Sequence, residues 1–280
     1  MSFYAVRDFI QNVFLSLESK FDQSAGKGQW AIVKTGFKKI DEAIGGLKPG
    51  ELVLISGWGG VGKSAFCHNI AEYMAVKERQ PVAIFSPGRN KEELVQRIIA
   101  AKTGISIRRL ISGTFEAFKW GRITDIVTEL YDAPLYIDDS KKQKIEDITK
   151  AIAELSKIYA VRLIIIDSLQ NIKGSREIGS NLQALKNLAR KCQVPLIVTA
   201  ELSNAIIHGR PDFTDLRTTG ICEEDVDTIV FIHRSTEDYA SLQGQTAEII
   251  VAKHPRCRPE TFELAFVPAL LRFEREGDLV

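Results

Sequence analysis

Short runs of Val, Ile and Leu recur along the chain, separated by segments in which apolar residues return every three or four positions. The runs at 51–56, 81–86, 135–138, 162–167 and 194–199 have the length and β-branched content of buried strands. Helical spacing predicts helices over 64–77, 90–103, 114–131, 144–158 and 181–192. Strands that alternate with helices need crossover connections, so the fold class is α/β with a mostly parallel sheet covered by helices on both faces. From Asp227 onward the pattern changes to strand after strand, at 228–233, 247–252, 261–267 and 270–273, as expected of antiparallel strands added to one edge of that sheet.

Ahead of this domain, Phe3, Val6, Ile10, Val13, Phe14, Leu17 and Phe21 fall at helical spacing, followed by the Gly- and Gln-bearing stretch 23–29. The organisation expected is an amphipathic helix with its linker over 1–28 and one α/β domain over 29–280. A lone helix cannot bury its own apolar face, so this one must dock on its own chain or on a second copy.

Composition changes this picture little. The 280 residues are 45% hydrophobic, with 37 Lys plus Arg against 36 Asp plus Glu, which disfavours binding to nucleic acid through bulk positive charge and leaves a local basic groove open. Cys67, Cys192, Cys222 and Cys257 form no CxxC pair and the four histidines have no metal-ligand spacing, so neither a zinc site nor a disulfide framework is expected. No apolar run is long enough to span a bilayer and the N-terminus does not read as a signal peptide; a cytoplasmic protein is expected.

Candidate chemistry enters at Gly57-Trp58-Gly59-Gly60-Val61-Gly62-Lys63-Ser64, a GxxxxGK[ST] loop placed after a predicted strand and opening a predicted helix. Glycines let the backbone curl so that its N–H groups converge on phosphate oxygens at the positive end of the helix. Lys63 is expected to reach the β- and γ-phosphates of ATP and the Ser64 hydroxyl to ligate Mg²⁺. The apolar run ending in Asp167 supplies the second expected metal partner.

With these residues in view, the chain resembles the RecA-like ATPase domain of DnaB-type replicative helicases from about Thr35 to Glu274. The resemblance rests on Thr35-Gly36-Phe37 with Gly45-Gly46-Leu47-Lys48-Pro49-Gly50-Glu51-Leu52, the phosphate loop, Leu135-Tyr136-Ile137-Asp138-Asp139-Ser140, the Asp167 run and Val194-Pro195. It continues through Asp215-Leu216-Arg217-Thr218-Thr219-Gly220, an acidic stretch from Glu223 to Asp227, and Phe231-Ile232-His233-Arg234. It implies a RecA-like fold, a ring of six copies or a hetero-ring with a related helicase, ATP at subunit seams and single-stranded DNA in the channel. Under it, helix 3–22 docks on the adjacent subunit, and the segments 171–180 and 203–211 line the channel. Lys173, Arg176, Arg210 and Arg217 then meet DNA phosphates, and Arg234 approaches the nucleotide.

Three positions depart from the family pattern, and all three bear on hydrolysis. Where the family has Phe-Ser-Leu-Glu, with the Glu polarising the attacking water, this chain has Phe85-Ser86-Pro87-Gly88. The family's Ser-Gln-Leu is here Ala200-Glu201-Leu202, so Glu201 either repels the γ-phosphate or serves as a relocated base. The family's Lys-x-Arg finger aligns with Lys253-His254-Pro255, leaving Arg256 or Arg258 as substitutes. The implied activity is therefore that of an ATP-dependent DNA helicase, with a hydrolysis-deficient ATP-binding paralogue that scaffolds or regulates a helicase as the alternative.

Overall fold

The computed structural model describes residues 32–141, 144–172, 178–202, 209–235 and 245–275. The expected docking helix and linker, Lys173 and Arg176 lie outside the described residues. The described elements begin with α1 (Lys38–Ile44), β1 (Leu52–Gly57) and α2 (Lys63–Glu72), which a wider π-helical turn, Tyr73–Lys77, extends. They continue through β2 (Val82–Phe85), α3 (Lys91–Thr103), α4 (Ile107–Ser112), α5 (Trp120–Tyr131), β3 (Leu135–Asp138), α6 (Ile145–Tyr159), β4 (Leu163–Ile166), α7 (Ile178–Cys192) and β5 (Leu196–Glu201). The last are α8 (Phe213–Arg217), β6 (Thr228–His233), β7 (Gln245–Lys253), β8 (Glu260–Val267) and β9 (Arg272–Phe273).

Among the described residues the strands form one sheet in the order β3-β2-β4-β5-β1-β6-β7-β8-β9. Pairing from β3 through β6 is parallel throughout, so the strand at 228–233, expected to be antiparallel, instead continues the parallel sheet beside β1, and only β7, β8 and β9 join as antiparallel strands. The central runs Leu163–Ile166 and Leu52–Gly57 are buried along their whole length because helices cover both faces, so they carry no polar alternation. β8 faces the core with one side only, and Phe262 and Phe266 are buried there between exposed or half-buried neighbours.

Parallel register has one consequence that matters for chemistry. The C-terminal ends of β1, β2, β4, β5 and β6 all emerge at the same edge of the sheet, and residues far apart in sequence meet there. α2 starts at this edge and runs under the sheet with nearly every residue buried. Its Phe66 ring stacks on Phe37 at 4.8 Å and meets Phe273 edge-on at 5.3 Å, while Phe266 and Phe273 lie 4.4 Å apart. This aromatic cluster fastens the antiparallel edge strands to the helix that carries Lys63. Three short helices, α1, α4 and α8, are absent from the pattern reading, since five to seven residues hold too few turns to show a period.

Phe273 is 1% exposed although it belongs to a two-residue strand near the end of the described chain. Phe273→Ala should cost about 3–5 kcal/mol, the usual range for emptying a buried aromatic site. A urea titration should show a lower midpoint with an unchanged slope.

Candidate functional site

The loop between β1 and α2 is shaped by its glycines. Gly62 has φ +110° just before the helix, a left-handed conformation that side chains resist, and a Cβ there would press on the Phe273 ring at 3.0 Å. At Gly57 a Cβ would collide with the carbonyl oxygen of Ile232 in β6, so the loop can leave β1 only from a residue without a side chain. Lys63 is then the first residue of α2, 9% exposed, and its ammonium donates to the carbonyl oxygens of Gly57 at 2.8 Å and Trp58 at 2.6 Å. Burial pushes its pKa down to about 8, against the opposing pull of Glu201 and Asp167.

Beside the lysine, Asp167 follows β4 and is 5% exposed. Its Oδ1 accepts from the Ser64 hydroxyl at 3.0 Å and from the Thr199 hydroxyl at 2.7 Å, which joins the ends of β4 and β5 to the start of α2. Its Oδ2 is buried without a hydrogen-bond partner and faces His68 Nε2 at 3.7 Å. Burial pushes the His68 imidazole down to about 4, so it is neutral near pH 7 despite the carboxylate. Oxygen donors of this kind, one carboxylate oxygen unsatisfied and hydroxyls close by, suit a hard divalent cation such as Mg²⁺.

These groups open into a cleft of about 450 Å³ whose walls also include Gly88, Arg89, Arg97, Glu201 and Arg234. Arg234 is 5% exposed, donates to the Gly60 carbonyl oxygen at 3.1 Å and lies over the Phe266 ring at 4.9 Å. Arg89 and Arg97 share one oxygen of Glu93, at 3.2 and 2.7 Å. Two cations against one carboxylate, added to Lys63 and Arg234, give the cleft the sign that a polyphosphate requires.

Residues singled out from sequence fall into three groups. Gly57, Trp58, Gly59, Gly60, Val61, Gly62, Lys63, Ser64, Asp167, Glu201 and Arg234 come together at this edge, and a Cβ on Gly59 would approach Glu201 Oε1 to 2.8 Å. Trp58 contributes no free ring face, because it is 6% exposed and its indole N–H donates to the Gly209 carbonyl oxygen at 2.8 Å. Lys253, Arg256 and Arg258 sit elsewhere. Lys253 pairs in register with Ile229 at the start of β6, whereas Arg234 follows its end, about 17 Å further along at strand rise. Lys253 donates to the carbonyl oxygens of Glu223 and Val226, and Arg256 meets buried Glu51 at 3.4 Å. Arg210 pairs with Glu248 at 2.8 Å and bonds Thr261 at 2.7 Å, and Arg217 forks onto Glu223.

Thr199, His68, Arg89, Arg97 and Asn171 had no motif to mark them. For Thr199 a signal existed, since it precedes Glu201 by two residues on a strand and therefore shares its face. His68 lies one helical turn after Ser64 and meets the same Asp167, whereas Arg89, Arg97 and Asn171 reach the cleft from the segments that follow the paired strands β2 and β4, which no local spacing encodes.

Residues 32–275 match the family model described as the DnaB-like helicase C terminal domain. The chain is 30% identical over 286 residues to a replicative DNA helicase DnaB of Geobacillus stearothermophilus, covering 97% of this chain and 62% of that protein. It is 28% identical over 280 residues to the DnaB helicase of Treponema pallidum, with the same two coverages. The chain thus spans a little under two thirds of the length of these relatives. In structure it is similar to a solved ATPase domain, with TM-score 0.82 and 25% identity over 98% of this chain and 99% of that one. A DnaB-like replicative helicase studied with primase has the same fold, with TM-score 0.82 and 24% identity over 98% of this chain and 67% of that one. The match spans the phosphate loop, the acidic strand end, the parallel strands and the antiparallel extension, and the chain belongs to the DnaB-like helicase C-terminal domain family.

Proposed function

We propose that this chain binds MgATP in the cleft and works as a DnaB-type subunit of a ring that acts on single-stranded DNA. The observation that carries the nucleotide reading is the junction at Asp167, where Ser64 and Thr199 converge on one carboxylate oxygen beside the buried Lys63 ammonium. Lys63 exchanges its two carbonyl acceptors for phosphate oxygens, and the loop N–H groups and the start of α2 complete the cradle. Ser64 and Asp167 would hold Mg²⁺, which neutralises phosphate charge when bound. Arg234 stands over Phe266 at the same wall and suits contact with the ribose or base.

The ring reading is supported by surfaces as well as by family membership. Around α4 and α5, Ile111 is 61%, Phe118 80% and Trp120 62% exposed, apolar side chains that the amphipathic segment 3–22 of an adjacent copy would cover. Lys253, Arg256 and Arg258 lie at the opposite end of the strands from their own phosphate loop, so any contact they make with ATP is to a neighbour's. Arg210 and Arg217 would exchange their carboxylate partners for DNA phosphates, which predicts salt-sensitive binding.

A specific feature favours slow hydrolysis, with ATP acting largely as an organising ligand. No carboxylate stands at position 88, and Glu201 lies on the Gly59 side of the cleft. Loss of a general base removes roughly 10² to 10⁴ in rate.

Purified protein should bind a fluorescent ATP analogue in the presence of Mg²⁺, and Lys63→Ala should weaken that binding at least about tenfold. Turnover measured with and without single-stranded DNA separates the motor from the organiser. Strong DNA-stimulated hydrolysis abolished by Lys63→Ala would identify a motor, and tight binding with turnover near the Lys63→Ala background would identify the organiser.

A pH dependence follows from Lys63. Phosphate binds its ammonium form, so the bound pKa lies above the free value of about 8. Affinity should therefore be flat below about pH 7 and fall by up to tenfold per pH unit above 8, accompanied by proton uptake. Calorimetric titrations in two buffers of different ionisation enthalpy measure both the slope and the uptake.

A further inference from the structure

We propose that Asn171 orients the attacking water in this cleft, from the place a side chain at position 88 would otherwise fill; the inference rests on the MgATP reading above. β2 and β4 are neighbours, with Phe85 opposite Ile166, so the loop after β2 and the turn after β4 meet at the cleft wall. Gly88 lies in the first and Asn171 ends the short 3₁₀ turn Leu169–Asn171 of the second. A Cβ built on Gly88 runs into the Asn171 amide nitrogen and lies 3.1 Å from its Cγ. As the side chains stand, the two positions share one space, and a side chain at 88 could enter it only if the exposed Asn171 amide turned away.

Orientation of that amide is fixed from one side. Its nitrogen donates to the Ser168 hydroxyl at 3.2 Å, and its backbone N–H donates to the Ser168 carbonyl oxygen at 3.1 Å. Asn171 lines the cleft, and its amide oxygen, 3.6 Å from the Cβ position at Gly88, has no protein partner among the described residues. Of the two carboxylates lining the cleft, Asp167 is engaged by Ser64 and Thr199, and Glu201 stands against Gly59. The β2 side is left with a neutral amide. An amide oxygen can accept a hydrogen bond from water and aim its oxygen at the γ-phosphorus, but it cannot keep the proton. As the new P–O bond forms, the bond to the bridging oxygen breaks with its electrons going to ADP, and the water's proton passes to a γ-phosphate oxygen. Such a site turns over slowly and without a carboxylate in its pH profile.

Single-turnover hydrolysis of ATP tests this with the parent, Asn171→Ala, Asn171→Leu, Gly88→Glu and the double variant Gly88→Glu/Asn171→Ala, with Lys63→Ala as background. Asn171→Leu keeps the side-chain volume and drops the amide. Both Asn171 single variants should lose about tenfold of the parent's rate while binding a non-hydrolysable analogue within about twofold of it. Gly88→Glu alone should gain nothing, and the double variant should exceed it at least about tenfold, with a rate that falls as pH drops through the carboxylate range. A parent no faster than Lys63→Ala, an Asn171→Leu as fast as the parent, or a Gly88→Glu as active as the double variant overturns the proposal. Failure of the parent to bind MgATP overturns the nucleotide reading instead.

Discussion

One carboxylate oxygen ties this structure to its chemistry. Asp167 Oδ1 takes hydrogen bonds from a hydroxyl on α2 and from another on β5, while its own backbone extends β4. Bonds to an ionised acceptor are worth about 1.5–3 kcal/mol each, and a buried carboxylate left without them is costly. The parallel order of β4, β5 and β1 has to hold for the three groups to meet. Lys63 and the glycine turn depend on the same alignment, since Ser64 adjoins the lysine and cannot reach Asp167 unless the loop has curled back over the sheet edge. Packing behind the site supports it, with Phe66, Phe266 and Phe273 holding α2 against the antiparallel strands.

The two ends of the parallel strands have different chemistry. At the C-terminal end the charges face a cleft and include four cations, Lys63, Arg89, Arg97 and Arg234. At the N-terminal end, Glu51 is 6% exposed and gathers the Thr228 hydroxyl at 2.6 Å, the Lys48 amide at 3.0 Å and Arg256 at 3.4 Å. That cluster closes the base of the sheet and tethers the β7–β8 connection, whose cations are thereby kept away from their own phosphate loop.

Much of this was legible in the sequence. Continuous apolar runs marked β1, β2, β4 and β5 within two residues, because strands covered on both faces have no solvent side to advertise. Gly57 to Ser64 and Asp167 were legible because their chemistry fixes residue type at each position. Thr199 carried only the signal of sharing a strand face with Glu201, and Arg89 and Asn171 carried none. The segments of the last two meet only because β2 pairs with β4, and a side chain's direction there is set by packing. Gly88 was legible as the loss of a carboxylate, but the amide in its space belongs to another loop and left no trace beside it in the sequence. Position 255 was read as a lost finger, and what the sequence could not tell is that Lys253 is engaged by two backbone carbonyls of its own chain.

Trp58 gives the phosphate loop a mechanical property of its own. Its indole is buried and bonded to the carbonyl oxygen of Gly209, and the next residue, Arg210, clasps Glu248 in β7 and Thr261 in β8. Loop, segment 209–210 and outer strands therefore form a tether of fixed length. If the loop is displaced at Trp58, it either draws Gly209 along or breaks a hydrogen bond worth about 1 kcal/mol. The tryptophan thus joins the phosphate loop to the segment that Arg210 fastens onto β7 and β8, so the loop's position and that of the outer strands are not independent.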